Sequence, residues 1–139
     1  MSNVALTTAL YSLLVADAEL IGQLDTFNGR PAIFTYQPVP QAVDGPYIVS
    51  AGNVSNNSFD TKTSTGRRIT RDIRCYARDG GDAIPVETVA DRVLTLLHRQ
   101  DLTISGFKTI YIDASGPVTF DEDGWYGRIV TAQFLLTTS

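Results

Sequence analysis

The sequence predicts an α+β fold: a mainly antiparallel β-sheet with two main α-helices packed on one side and a long polar β-hairpin or loop. Three observations carry that reading. Residues 66–78 alternate apolar and polar side chains. A run beginning at Pro85 carries an apolar stripe at helical spacing. Residues 107–137 form two long extended runs joined by Asp121-Glu122-Asp123-Gly124. The length of 139 residues points to one domain, 1–139. An apolar fraction of 43% with 19% charged residues supplies enough core to exclude a disordered chain.

Taken in order, Ser2 or Asn3 caps a helix starting near Val4, with Leu6, Leu10, Leu13 and Leu14 on one stripe. Asp17 caps a second, short helix that turns Leu20, Ile21 and Leu24 inward. Asn28-Gly29-Arg30-Pro31 ends it, with Gly29 suited to a left-handed exit. Ala32 to Tyr36 reads as a short strand, followed by a loop punctuated by Pro38, Pro40, Gly45 and Pro46. Tyr47 to Val54 is a second strand, rich in β-branched and aromatic residues. Ser55 to Gly66 is dominated by Ser, Thr and Asn, with Phe59 its one large apolar residue, and reads as a mobile hairpin tip or loop.

Gly66 to Arg78 puts Ile69, Ile73, Cys75 and Ala77 on one face. Arg68, Thr70, Asp72, Arg74, Tyr76 and Arg78 fall on the other, which reads as wet. Arg71 breaks the pattern from the apolar side, which points to a bulge or the strand's exposed end. After Asp79-Gly80-Gly81-Asp82, Val86, Val89, Ala90, Val93, Leu96 and Leu97 line the best amphipathic helix in the chain. Asp82 and Glu87 near its start, and His98 and Arg99 at its end, suit the helix dipole. Leu102 to Ile104 reads as a short strand, and Phe107 to Phe120 as a long one broken at Ser115-Gly116-Pro117. Trp125 to Thr137 has two fairly apolar faces, the mark of a central strand.

The chemistry-bearing residues are few. His98 is the only histidine, and a dipole contact in a last helical turn accounts for it. Cys75 is the only cysteine, on an apolar strand face, where a structural thiol is expected rather than a nucleophile. It excludes an internal disulfide and suits a reducing compartment. Asp121-Glu122-Asp123-Gly124 lacks the further ligands of a calcium loop and reads as a turn with Gly124 at positive φ. No phosphate-cradling glycine loop, secretory signal or membrane-spanning stretch is visible. No enzyme activity, metal or cofactor is expected.

One cluster stands apart. Arg67, Arg68, Arg71, Arg74 and Arg78 against Asp72 make a local charge of +4 in a chain of net −4, so the remainder carries −8. Arg68, Arg74 and Arg78 on one wet face suit phosphate or an acidic patch on a neighbouring subunit; a solvated edge strand kept apart by charge is the plainer account. Opposite poles on one small molecule are what a head-to-tail interface uses. With Phe59, Asp60 and Lys62 of the polar segment, these five arginines are the candidate subunit or partner interface.

The order of these segments resembles one family. Leu10-Tyr11-Ser12-Leu13-Leu14 leads to Asp17-Ala18-Glu19-Leu20, Asn28-Gly29-Arg30-Pro31 and Gly45-Pro46-Tyr47-Ile48-Val49. The helix Ala90-Asp91-Arg92-Val93-Leu94-Thr95-Leu96-Leu97 follows, then Asp121-Glu122-Asp123-Gly124 into Tyr126-Gly127-Arg128-Ile129-Val130. Together they are similar, over nearly the whole chain, to tail-completion (tail-terminator) proteins of long-tailed phages and gene transfer agents. The resemblance implies a structural virion protein, assembled in the host cytoplasm. It would form a ring, commonly of six copies, that caps the head-proximal end of the tail tube and joins it to the head connector. It implies contacts with the tail tube protein, connector proteins and other copies of itself, DNA passing through the lumen without specific binding, and no membrane partner. It carries over no catalytic residues and makes the polar segment a candidate for ordering on assembly. The long Pro38–Pro46 stretch and the arginine-rich strand depart from the family pattern. A connector adaptor or stopper is the neighbouring reading, and a nucleic-acid-binding module using the Arg67–Arg78 strand is the reading from a different class.

Overall fold

A computed structural model describes residues 2–35, 45–50, 53–58, 60, 65–78, 81–98, 102, 104, 106–121 and 124–138. Helix α1 (Ser2–Val15) opens the chain, followed by α2 (Ala18–Ile21) and a small hairpin of β1 (Thr26–Phe27) and β2 (Arg30–Pro31). Then come β3 (Ile33–Phe34), β4 (Tyr47–Val49), β5 (Asn53–Ser58), β6 (Gly66–Arg78), α3 (Ile84–Leu97), β7 (Phe107–Thr119) and β8 (Trp125–Thr138). The large sheet runs β3-β4-β6-β8-β7, with β5 beside the first half of β6. Among the described residues, only the short β3–β4 pair is parallel. The α+β, mainly antiparallel class read from the sequence is the class of the structure.

The long strands form where alternation predicts them. β6 spans the expected residues, and β8 lies between β6 and β7, so it is central as its two apolar faces require. β6 and β8 pair over thirteen residues, from Gly66↔Thr137 to Arg78↔Trp125. β7 shifts register at Ser115/Val118, where Gly116-Pro117 interrupts it.

The helices cover one face of this sheet. Leu6, Leu10 and Leu14 of α1 and Val86, Val89, Ala90, Val93 and Leu97 of α3 meet Ile69, Ile73, Cys75, Val130, Ala132, Phe134 and Leu136. Each fully buried aliphatic side chain stabilises the fold by roughly 1.5–3 kcal/mol. Asp17 accepts the N–H of Leu20 at 3.0 Å, as a capping residue does, and takes two hydrogen bonds from Arg92 of α3, each 2.8 Å. One carboxylate thus caps the start of α2 and fastens it to α3.

The opposite face is not wholly wet. Tyr76 is buried there, stacked on Tyr47 with ring centroids 4.8 Å apart, and Phe120 and Trp125 meet this pair edge-on at 5.2 and 5.1 Å. Phe34 and Val49 complete a second, aromatic core. It forms because β3, β4 and the start of β8 bring aromatic residues around Tyr76.

Three further local expectations are corrected. Asn28 (φ 53°) and Gly29 (φ 77°) do not close a helix; they are the two-residue turn of the β1–β2 hairpin, where positive φ at both positions matches strand twist. Residues 47–54 are not one strand, because β4 ends at Val49 and β5 begins at Asn53. The start of the polar segment is ordered as β5, since it finds β6 to pair with. Phe59 and residues 61–64 of that segment, like the proline-rich positions 36–44, lie outside the described residues.

Candidate functional site

The five arginines do not form one patch. Alternation along β6 sends Arg67 and Arg71 to the helix side and Arg68, Arg74 and Arg78 to the outer side. Arg71 is 1% exposed, so its guanidinium lies in the interior rather than on an interface. It donates from Nε to Asn53 Oδ1 at 2.6 Å and from Nη1 to Thr7 Oγ1 at 2.7 Å, tying β5 and α1 to β6. Burial pushes its pKa below the usual arginine value, yet an arginine keeps its charge at neutral pH. The irregularity expected at Arg71 lies in its neighbour: the β5 register shifts between Asn53, opposite Arg71, and Ser55, opposite Thr70. Val54 is the bulged residue, and the bulge brings Asn53 to the guanidinium.

The outer-face arginines are held by rings. The Arg78 guanidinium carbon lies 4.4 Å from the Trp125 ring centroid, and that of Arg74 lies 5.7 Å from Phe120. Both roof the aromatic core, so part of their charge is already engaged. Arg68 is exposed, and Arg67 donates to Ser58 Oγ at 3.1 Å. Asp60 is exposed and accepts the N–H of Gly66 at 3.1 Å, closing the β5–β6 hairpin at its inner end. Among the described candidate residues, Arg68 and Arg78 are therefore the exposed arginines of the outer side, with Arg67 half-buried on the helix side and Asp60 exposed at the β5–β6 end. Phe59 and Lys62 lie outside the described residues.

Sequence reading missed Arg128. It lies beneath the helix layer on β8, 8% exposed, donating to Asp121 Oδ1 (3.1 Å), Glu87 Oε1 (3.2 Å) and the Gly127 carbonyl (2.8 Å). Two acids and a carbonyl from three segments satisfy one fork, as arginine geometry favours. It also missed a cleft of about 450 Å³ lined by Tyr11, Phe27, Arg30, Ile33 and Phe34 among others. The described lining holds no carboxylate, histidine or cysteine. Nothing in the spacing of Arg30 and Tyr11 announces it.

The residues with chemical potential are occupied structurally. Cys75 is fully buried, and desolvation pushes its thiol up to about 12. His98 caps the end of α3, where its Nδ1 accepts the backbone N–H of Ala114 at 3.2 Å, a hydrogen bond to β7 in place of the expected dipole contact. Among the described residues, no three His, Cys, Asp or Glu side chains gather where they could hold a metal ion.

Against this geometry, residues 8–137 match the family model described as Tail completion protein gp17. The chain belongs to that family. As a tail completion protein it is a structural component of the phage tail, and its location is the virion. Among described residues, no helix is long and apolar enough to cross a membrane. The resemblance drawn from the order of the segments therefore holds over most of the chain.

A structure described as the virion of a native gene transfer agent (GTA) particle contains a chain of the same fold. It aligns with a TM-score of 0.76 at 20% identity, over 94% of the tail completion protein and 92% of that chain. A second solved chain aligns with a TM-score of 0.59 at 11% identity, over 95% of this chain and 93% of its own. These likenesses extend to the fold alone. No curated protein matches the sequence.

Proposed function

We propose that the chain, working as one domain over residues 1–139, acts as a tail terminator. Copies assemble into a ring, commonly of six, on the head-proximal end of the tail tube, end tube growth and present a surface to the head connector. Its partners are then other copies of itself, the tail tube protein and connector proteins. DNA passes through the lumen without specific binding, no membrane takes part, and assembly takes place in the host cytoplasm. The observation that carries this reading is the match to the tail completion family over residues 8–137.

The geometry supports a part that acts by contact. The cysteine thiol is buried, and the histidine ring is engaged with a backbone N–H. The arrangement of the arginines weighs against a nucleic-acid module, because Arg71 is buried and Arg74 and Arg78 lie over rings.

Electron microscopy of particles made with and without the protein tests the reading. Tails of uncontrolled length without it, and density at the tube's upper rim with it, are expected. Tails of normal length in its absence overturn the terminator role; density inside the head connector favours an adaptor or stopper.

A further inference from the structure

One contact between α3 and the sheet depends on the protonation of a single ring. His98 ends α3, and its backbone N–H still reaches the Leu94 carbonyl at 2.9 Å, so the ring is carried on ordered backbone. Its Nδ1 accepts the N–H of Ala114 at 3.2 Å, which joins the end of α3 to β7. A backbone N–H has only a proton to give. Nδ1 therefore presents a lone pair in this contact, and the neutral ring carries its own proton on Nε2. The next proton the ring takes goes to Nδ1, the atom that Ala114 occupies. An imidazolium is a donor at both nitrogens, so the protonated ring and the Ala114 N–H exclude each other.

The protonated ring has another partner one residue away. Asp113 Oδ1 lies 3.8 Å from the same Nδ1, too far for a hydrogen bond but close enough to pair with an imidazolium. The C-terminus of a helix also favours a cation. The ring is 45% exposed and the Asp113 side chain 60%, so protons reach both from solvent without any opening of the core. Among the described residues, the charged groups on the elements packed against α3 are bound elsewhere or lie farther along. Arg92 of α3 is paired with Asp17 and Glu19, and Asp91 lies about two turns before His98. Arg128 of β8 is paired with Glu87 and Asp121 near the start of α3. On β6, Arg67 bonds to Ser58, Arg71 bonds to Asn53 and Thr7, and the buried Cys75 stays a neutral thiol. Helix α1 contains no Asp, Glu, Lys or Arg, and Lys108 lies at the start of β7. Arg99 and Asp101 follow His98 in the sequence and lie outside the described residues.

We propose that His98 is a pH-operated latch between α3 and β7. At neutral pH the unprotonated Nδ1 holds the Ala114 N–H. On acidification the ring takes a proton from solvent at Nδ1, turns to the Asp113 carboxylate and gives up the Ala114 N–H to water. The end of α3 then holds β7 through a side-chain ion pair instead of through its main chain, and the strand loosens at that point. The latch goes beyond the assembly role and is independent of it. A histidine that only closed a helix would make no demand on its tautomer, and the tautomer is what separates the two accounts.

The chain has one histidine, so selective 15N-histidine labelling of the full-length protein reads this ring alone. At about pH 7.5 the spectrum should show Nδ1 without a proton and Nε2 with one; at about pH 5 both nitrogens should be protonated. Over the same range the protection of the Ala114 amide against hydrogen exchange, corrected for the intrinsic effect of pH, should fall about five- to tenfold and share the ring's midpoint. His98→Gln supplies an acceptor that does not titrate, so its Ala114 protection should stay constant. A proton on Nδ1 at about pH 7.5, protection that stays flat in the parent, or an equal fall in His98→Gln each overturns the latch. The two parent measurements decide the question even where the variant does not fold.

Discussion

The two faces of the sheet are packed by different chemistry, and the difference separates what makes the fold from what can meet a partner. The helix face is aliphatic and closed: α1 and α3 seal Phe134, Ile73 and Val130, and even Arg71 and Arg128 are drawn inside. The outer face is divided. Over the start of β8 it carries an aromatic roof of Tyr47, Tyr76, Phe120 and Trp125, edged by Arg74 and Arg78. Over the β5 end, no helix among the described residues covers it, and Asp72 accepts a hydrogen bond from Thr131 Oγ1 at 2.8 Å. Stability should therefore reside on the helix face, and the outer face should tolerate change while altering contacts.

The sharpest way to break that division is Phe134→Ala. Phe134 is fully buried in the central strand beneath the helices, and the substitution should cost about 3–5 kcal/mol, read as a lowered urea midpoint. A loss below about 1 kcal/mol would mean that the helix layer can collapse onto the sheet, and that the aliphatic face is not the rigid one.

Arg71 offers the next largest effect. Arg71→Ala leaves a cavity and removes the donors to Asn53 and Thr7, for an expected cost of about 2–3 kcal/mol. Arg71→Met fills the space without a buried charge. Because Asn53 and Thr7 are half-buried, water can replace the lost donors, so this variant should stay within about 1 kcal/mol of the parent. A thermal melt of both variants separates volume from charge; equal losses would assign the effect to the hydrogen bonds.

The outer face is tested at Gly127. A Cβ there would run into the Phe120 backbone oxygen and come within 2.8–2.9 Å of its ring, so Gly127→Ala should displace the aromatic roof at a cost of about 1–3 kcal/mol. Trp125 is the only tryptophan and sits in that roof, so fluorescence follows this face while far-UV circular dichroism follows the whole. The expected result is a shifted tryptophan emission with the dichroism transition little broadened. Coincident, equally shifted transitions would mean that the two faces unfold as one.

These contrasts also explain what the sequence could reveal. Alternation made β6 and β8 legible, because a period of two reports which side of a sheet is buried. It could not report that the supposed wet side receives a second core, since Tyr47, Phe120 and Trp125 come from distant segments and converge on Tyr76 only through β4 and β8. Asp17 was legible as a cap because capping is local; its bond to Arg92, seventy-five positions away, was not. The arginine run misled for a related reason. The period of two already set Arg71 apart from Arg68, Arg74 and Arg78, but it could not report that Arg71 is fully buried or that Arg74 and Arg78 lie over rings. β5 was hidden because its residues are polar, and its strand conformation comes from pairing with β6 rather than from its own pattern.

A smaller effect comes from Cys75, on the sealed face. Its folded pKa is raised from 9.0 to about 12, so the folded state holds this proton more tightly than the unfolded chain. Its contribution is complete below pH 9 and is lost as pH rises toward 12, amounting to about 1 kcal/mol by pH 10. Cys75→Ala should flatten that part of the alkaline limb. In the native protein the thiol should also resist an aromatic disulfide reagent at pH 8 and react once urea unfolds the chain; rapid native labelling would show that the helix face opens.

The smallest effect lies at the margin of the helix layer. Arg92, by hydrogen bond and charge, holds the Asp17 carboxyl below its ordinary value of 3.8, although both groups are partly open to water. A depressed carboxyl stabilises the fold above its unfolded pKa and loses that contribution as pH falls through the folded one. Stability should therefore decline as the solution is acidified below about pH 4, and Asp17→Asn should weaken that decline. Because salt screens an exposed pair, the difference between parent and variant should shrink between low and high ionic strength. If it does not, the loss belongs to the capping of Leu20, a local hydrogen bond, and α2 is held to α3 by packing alone.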